Sequence, residues 1–412
     1  MGLIQAQLGK FDTAANAFLK AHELAPNNPD ISNNLASIYM TLGRVDDAAA
    51  MYRKTIQADK TYGPAWLGLC DAQKAQLDDA DMDTLVKLGE KPDLPPAHKA
   101  PIMFALARVR AKHGEHEQAF ACLTAANAAG KQARPPGAQN HMSVAHEIQN
   151  GFNADTFSQK IAPLDAGKGL IFVVGMPRSG TSLVELILSA HPDVTTVGES
   201  DIALQAIQAL EQKHKAGFSI ICPNHPGKTA EWGATIEKRL RERAGNAGVI
   251  VDKTPLNHLF VGLIHMALPG ARIVHTQRDL RDTCLSCYEQ YFTAGQPWSF
   301  DLKDIAAYAK AYHHLMAHWR KTIPDAFLDF SYEALASTPH ENVRALLEHC
   351  GLDWHEDCLS PHKSSAATHT ASAAQVREPI HPRSIGRWKN YQTQLEPLLA
   401  ELADILDGPA SA

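Results

Sequence analysis

Over its first third the chain places apolar residues at helical intervals and repeats itself. The positions Gly9-x-Phe11-x-x-Ala14-x-x-x-Phe18 recur as Gly43-x-Val45-x-x-Ala48-x-x-x-Tyr52, a 34-residue step without a gap. Pro26 closes the first unit, and "DISNNLASIYMTLG" supplies its next helix. "GPAWLGLCDAQ" opens a third, degenerate unit, and "FALARVRAKHGEHEQAFACLTAAN", with Gly114, Ala119 and Leu123, repeats the pattern once more. Alanine at each crossing lets antiparallel helices approach closely, while Phe18 and Tyr52 fill the space between successive pairs. "GKQARPPGAQN" then breaks the period with prolines and glycines, marking a boundary, and "HMSVAHEIQNGFN" reads as one connecting helix. From Leu170 the pattern changes to short apolar runs, "LIFVV", "GVIVD", "ARIVHT" and "AFLDF", separated by longer amphipathic stretches. That alternation predicts a parallel sheet covered by helices.

The 34-residue period is similar to the tetratricopeptide repeat, which implies a concave surface for a peptide or protein partner, or a scaffold. An ordinary helical bundle is the competing reading. The first unit starts about six residues into its first helix, so the array is expected to be incomplete at this end. We therefore expect an all-α repeat domain over residues 1–150 and an α/β domain over 151–412.

Composition narrows the function. The chain has 412 residues, 39 basic against 45 acidic, for a net charge of −6. Nonspecific nucleic-acid binding has no global electrostatic support, and any anion site must be built locally. No apolar stretch approaches the roughly 20 residues that span a membrane, and the N-terminus lacks a signal-peptide pattern. The seven cysteines are scattered, which argues against a disulfide framework and for a cytoplasmic setting. "CLSC" (Cys284, Cys287) and the His314/His318 pair have spacings that can bind metal, but no completing ligands accompany them. Packing on a helix explains both, and no metal is expected.

Ligands of parallel α/β sheets bind beyond the carboxyl ends of the strands. Those positions here hold "GMPRSGTS" (Gly175 to Ser182), Lys253, Gln277-Arg278-Asp279 and Ser331-Tyr332-Glu333. "GMPRSGTS" has the form of a phosphate-binding P-loop with Thr181 in place of its lysine. Glycines let the backbone wrap an oxyanion, and the amides opening the next helix favour negative charge. Arg278, with Ser286 eight residues later, suggests a second phosphate position; the alternative is a salt-bridged turn among Arg278, Asp279, Arg281 and Asp282. Asp252 imitates a magnesium-holding aspartate, which keeps a nucleotide phosphotransferase or ATPase open.

Taken together, "GMPRSGTSLVE", "VGES", "DKTPLN", "QRDLRDTCLS" and "YEAL" resemble the sulfotransferase family, with most similarity to tyrosylprotein sulfotransferases and to bacterial sulfotransferases carrying tetratricopeptide repeats. The likeness covers residues 170 to about 400. It implies 3'-phosphoadenosine 5'-phosphosulfate (PAPS) as co-substrate and adenosine 3',5'-bisphosphate as product. Pro177, Arg178, Ser179, Gly180, Thr181 and Ser182 would surround the 5'-phosphosulfate. Arg278 and Ser286 would hold the 3'-phosphate in a separate pocket, Tyr332 would lie beside it, and Arg387 would close over the cofactor. Glu199 matches the family's catalytic base, and Lys253 and Arg178 its charge-stabilising cations.

The resemblance is incomplete. The second glutamate of a family "GEE" is Ser200 here, and a further 3'-phosphate arginine would fall at Gln290. The acceptor is consequently open among tyrosyl peptide, carbohydrate, lipid and small alcohol, as is self-association through the repeats. A repeat protein that binds the nucleotide without catalysis is a third reading.

Overall fold

A computed structural model describes residues 1–74, 76–134, 141–214, 226–245, 247–293, 295–363 and 379–406. The first part is helical: α1 (Gly2–Gln7), α2 (Phe11–Leu24), α3 (Pro29–Thr41), α4 (Val45–Ala58), α5 (Gly63–Ala72), α6 (Asp79–Gly89), α7 (Pro96–Lys112) and α8 (His116–Ala133). Local chemistry sets the breaks. Asn28 caps α3 by accepting from the amides of Asp30 and Ile31, and Pro29 occupies the first turn, where its missing N–H costs nothing. Ala14 and Ala48, the small residues of the repeat, are fully buried at the crossings. Tyr52 packs flat on Gly68 of α5; a Cβ there would stand 2.3 Å from Tyr52 Cζ.

The remainder carries α9 (His141–Gly151), β1 (Leu170–Gly175), α10 (Thr181–Ser189), β2 (Val194–Gly198), α11 (Ile202–His214), α12 (Pro226–Ala244), β3 (Val249–Asp252), α13 (Val261–Ala267), β4 (Arg272–Gln277), α14 (Leu280–Tyr288), α15 (Leu302–Thr322), β5 (Leu328–Ser331), α16 (Tyr332–Ser337), α17 (Pro339–Cys350) and α18 (Glu396–Leu406). The strands form one parallel sheet in the order β2-β3-β1-β4-β5. β1 lies at its centre and is buried on both faces, which is why its sequence is an unbroken apolar run. Leu170, Phe172 and Val174 join the core beneath α11, α12, α13 and α15. Ile171 and Val173 face the opposite core with Val184, Leu346 and Phe330.

β2 is a strand that the apolar runs do not predict. It lies at the sheet edge, and only Val194 and Val197 of "VTTVG" are buried. The connecting helix α9 packs on α15 of the sheet domain.

Repeats and sheet domain share one apolar core, running from Leu35 and Trp66 through Phe104 and Phe120 to Tyr288 and Tyr391. Polar contacts cross the same junction: Asn127 Nδ2 donates to the Tyr288 carbonyl at 3.0 Å, and Lys131 pairs with Asp301 at 2.9 Å. The repeats are thus fixed directly beside the carboxyl end of the sheet. Among the described residues, no helix is long and apolar enough to cross a membrane.

Candidate active site

Strand pairing decides which residues meet. Gly198 of β2 stands opposite Asp252 of β3, so the residues that leave the two strands, Glu199 and Lys253, emerge side by side. Lys253 donates from Nζ to Glu199 Oε1 at 2.5 Å. The same Nζ lies 3.6 Å from Glu185 Oε2, and the other oxygen of Glu185 accepts from Thr196 Oγ1 at 2.5 Å. Lys253 is 1% exposed and Glu199 47%. One carboxylate therefore anchors the lysine from within, and the other meets it from the solvent side. Burial opposes the Lys253 charge most strongly, yet attraction to Glu185 and Glu199 holds its pKa above the ordinary lysine value.

Asp252 turns away from this pair. Its carboxylate accepts from Ser200 Oγ and, at 3.1 Å, from Asn257 Nδ2, and burial pushes its pKa up to about 6. An aspartate held in this way supports the turn after β3.

The loop after β1 is shaped by its glycines. A Cβ on Gly175 would sit 2.6 Å from Thr276 Oγ1 and 2.8 Å from Ser179 Oγ. Gly180 caps α10 in the left-handed region, with φ 108°. Ser179 bonds through Oγ to Thr276 Oγ1 at 2.7 Å, so its side chain faces the sheet. Pro177, Arg178, Gly180, Thr181 and Ser182 form cleft wall. Arg178, also left-handed at φ 71°, donates from Nε to Ser286 Oγ at 3.0 Å. The loop and the Ser286 position, expected as separate pockets, are joined by this side chain.

Pairing of β4 with β5 sets Gln277 opposite Ser331 and brings the following residues, Arg278 and Tyr332, together. The Arg278 guanidinium lies 5.2 Å from the Tyr332 ring centre and donates to the carbonyls of Arg178 at 3.3 Å and Ser384 at 2.5 Å. Among the described residues its buried Nε has no hydrogen-bond partner, a donor that an anion would satisfy. The salt-bridged-turn alternative holds in part, for Asp279 and Arg281, and does not extend to Arg278 or Asp282. Asp279 pairs with Arg281 at 2.6 Å, and Asp282 accepts from the amides of Gly386 and Trp388 at 2.6 and 2.9 Å. Asp282 thereby fastens the segment that carries Arg387, and Arg278 is left to the cleft. Arg387 reaches the same cleft wall and pairs with Glu289 at 2.8 Å.

Cys284 and Cys287 are buried in α14, where Cys287 Sγ meets the Pro177 carbonyl at 3.3 Å. His318 Nε2 bonds the Phe152 carbonyl at 2.6 Å.

The loop residues, Glu199, Arg278, Ser286, Tyr332 and Arg387 line one cleft of about 1690 Å3 that continues along residues of the repeats. Tyr52, Gly68 and Arg108 line one side, and Thr181, Glu199 and Leu256 the other. Glu185 and Asp282 fall inside the quoted motifs with no role at the site assigned to them there, and Arg108 lies outside those motifs altogether. A lone acid in the apolar run "LVELILS" was a legible signal for Glu185; Arg108 lies among repeat residues that give none.

The sheet order, the lysine-less glycine loop and the arginine-rich cleft define a parallel α/β domain with its cleft at the carboxyl end of the sheet. Residues 171–356 match the profile of the Sulfotransferase family and residues 5–72 that of the Tetratricopeptide repeat. A relative from Aquifex aeolicus described as "Uncharacterized protein" is 27% identical over 410 residues, 95% of this chain and 52% of that protein. The chain thus spans about half the length of that relative. "Protein-tyrosine sulfotransferase 2" of Gallus gallus is 23% identical over 264 residues, 57% of this chain and 68% of that one. Among solved structures, the sulfotransferase domain of a Synechococcus olefin synthase aligns with a TM-score of 0.41 at 19% identity, over 56% of this chain and 90% of that one.

Proposed function

We propose that the protein transfers a sulfuryl group from PAPS to a hydroxyl of a peptide or protein acceptor, with residues 151–412 as the transferase domain and 1–150 as the repeat domain that presents the acceptor. The observation that carries this reading is the Glu199–Lys253 pair, held at 2.5 Å between the glycine loop and the open cleft.

The chain's residues suit the donor. The loop amides at Gly180, Thr181 and Ser182 open a helix whose dipole favours an anion. Arg278, whose buried Nε has no partner among the described residues, and Ser286 suit a second phosphate. PAPS supplies the activated sulfuryl group; the protein supplies position and charge.

Glu199 removes the acceptor's proton as the acceptor oxygen bonds to sulfur. The sulfur–oxygen bond to the 5'-phosphate breaks, and adenosine 3',5'-bisphosphate leaves with the bonding electrons. Once protonated, Glu199 no longer neutralises Lys253. The lysine's charge is then available to the leaving oxygen at the moment that oxygen becomes anionic. Arg178 adds a second cation from the loop itself. The cleft over the repeats supports a polypeptide acceptor, because it extends well beyond what a nucleotide fills.

Incubation of the protein with sulfur-35-labelled PAPS and fractionated host extract tests both halves. Label is expected in protein. Label in lipid or glycan alone overturns the acceptor class, and binding of ATP with magnesium in preference to PAPS overturns the transfer reaction.

A further inference from the structure

Arg108 belongs to α7 of the repeats, yet its side chain reaches the corner of the cleft assigned above to the 3'-phosphate. Nη2 donates to Gln290 Oε1 at 3.4 Å, and Nη1 forms an ion pair with Asp71 of α5. Gln290 follows α14 one turn beyond Ser286, whose Oγ accepts from Arg178. Four guanidinium groups, those of Arg108, Arg178, Arg278 and Arg387, line this part of the cleft. Among the described residues, Asp71 pairs with Arg108 and Glu289 with Arg387. Arg108 and Arg278 both act repulsively on Arg178, while Glu289 attracts both Arg178 and Arg108.

Clustered cations partly withdrawn from water disfavour their own charge. Burial lowers the pKa of Arg178 to about 10 and that of Arg108 in the same direction. Such a cluster is stable only with help from counter-charge. A dianion placed against Ser286 and Arg278 would relieve the repulsion and satisfy several donors at once.

We propose that Arg108, oriented by Asp71 and Gln290, is a 3'-phosphate anchor supplied by the repeats, so that the repeat helices complete the nucleotide site as well as lining the acceptor cleft. This rests on the PAPS reading of the preceding section. It gives the shared core a functional consequence: the junction where Phe104 and Phe120 meet Tyr291 and Tyr288 would also carry the nucleotide site.

The test is titration calorimetry on the full chain at fixed ionic strength, with adenosine 3',5'-bisphosphate and adenosine 5'-monophosphate as probes. The parent protein is expected to prefer the bisphosphate. Arg108→Gln should lower bisphosphate affinity about 10- to 100-fold, the worth of a hydrogen bond to a charged group, and leave the monophosphate unchanged. Adding Gln290→Arg to Arg108→Gln should return part of the preference by restoring a guanidinium to the corner. Should Arg108→Gln lose the parent's circular dichroism spectrum, Arg108→Lys takes its place, with a smaller loss expected because the ammonium keeps the charge while giving up the guanidinium's two-pronged contact. Full retention of the preference in a folded Arg108 variant overturns the proposal. A parent protein without any preference for the bisphosphate overturns the PAPS reading itself, a separate and recognisable result.

Discussion

Glu185 Oε2 lies 3.6 Å from Lys253 Nζ, an ion pair between the helix that starts at the glycine loop and the residue that leaves the neighbouring strand. Both side chains are nearly sealed from solvent, at 11% and 1% exposed. Glu185→Gln should cost about 1–3 kcal/mol, the penalty for weakening a buried charged group's partner. The pH dependence has a definite sign. The Lys253 pKa is raised in the folded protein, so its contribution is complete below the unfolded value near 10.4 and disappears as pH rises through the folded one. Urea unfolding above pH 10 should therefore show a shallower loss of stability for Glu185→Gln than for the parent. Equal slopes would mean that Glu185 does not hold the lysine's charge.

Glu199 is the more exposed partner of Lys253, and its removal should separate chemistry from binding. Glu199→Gln keeps the volume and a hydrogen-bond acceptor but cannot take a proton. Turnover should fall by about 10²- to 10⁴-fold, the usual worth of a positioned base, with nucleotide affinity preserved. Lys253→Met should lower kcat as well, without the uncompensated cavity of an alanine. Calorimetry against adenosine 3',5'-bisphosphate beside single-turnover assays makes the comparison. Undiminished turnover in both variants would remove this pair from the mechanism.

The parts of this site that are legible in the sequence follow from burial. β1 is covered on both faces, so every position is apolar and the run announces itself; β2 at the edge has only two buried residues and announces nothing. The glycine loop is legible because positive φ at Gly180 and close approach at Gly175 restrict those positions to glycine. Tertiary pairs escape a linear reading. Nothing adjacent to Glu185 names Lys253, and nothing around Arg108 indicates a contact with Gln290, 182 residues away. The acid-base turn shows the same limit. "RDLRD" offers several salt bridges, and only packing of the segment at Gly386 and Trp388 directs Asp282 to backbone amides rather than to an arginine.

Asp252 provides a test between sulfuryl transfer and magnesium-dependent nucleotide chemistry. Burial raises its pKa from 3.8 to about 6, so the group favours folding at low pH, and that contribution is lost as pH rises through about 6. A shift of this size is worth on the order of 3 kcal/mol. Asp252→Asn removes the buried charge and can keep the bonds to Ser200 and Asn257, since the Asn257 amide can turn over. The variant should equal or exceed the parent in stability at pH 7, lack the parent's decline between pH 4 and pH 6, and retain sulfuryl transfer. Loss of activity in a stable Asp252→Asn protein would restore a direct catalytic or metal-holding role for this carboxylate.

The repeats can be perturbed at Gly68, where Tyr52 lies on the helix backbone. Two effects oppose each other in Gly68→Ala. Alanine favours the helix by about 1 kcal/mol over glycine. Its methyl group, however, would stand 2.3 Å from Tyr52 Cζ, so the ring must move, and overpacking of this kind costs about 1–3 kcal/mol. Tyr52 cannot move freely: it is buried in the repeat core, and its hydroxyl pairs with Ser37 Oγ at 3.3 Å. The steric term should win, giving a lower melting temperature. Tyr52 and Gly68 also line the cleft, so displacing the ring should raise KM for a peptide acceptor while nucleotide affinity stays at the parent value. An unchanged KM together with the expected loss of stability would show that the acceptor does not use this wall. It would leave the repeats with a structural role here and place acceptor recognition nearer Glu199 and Leu256.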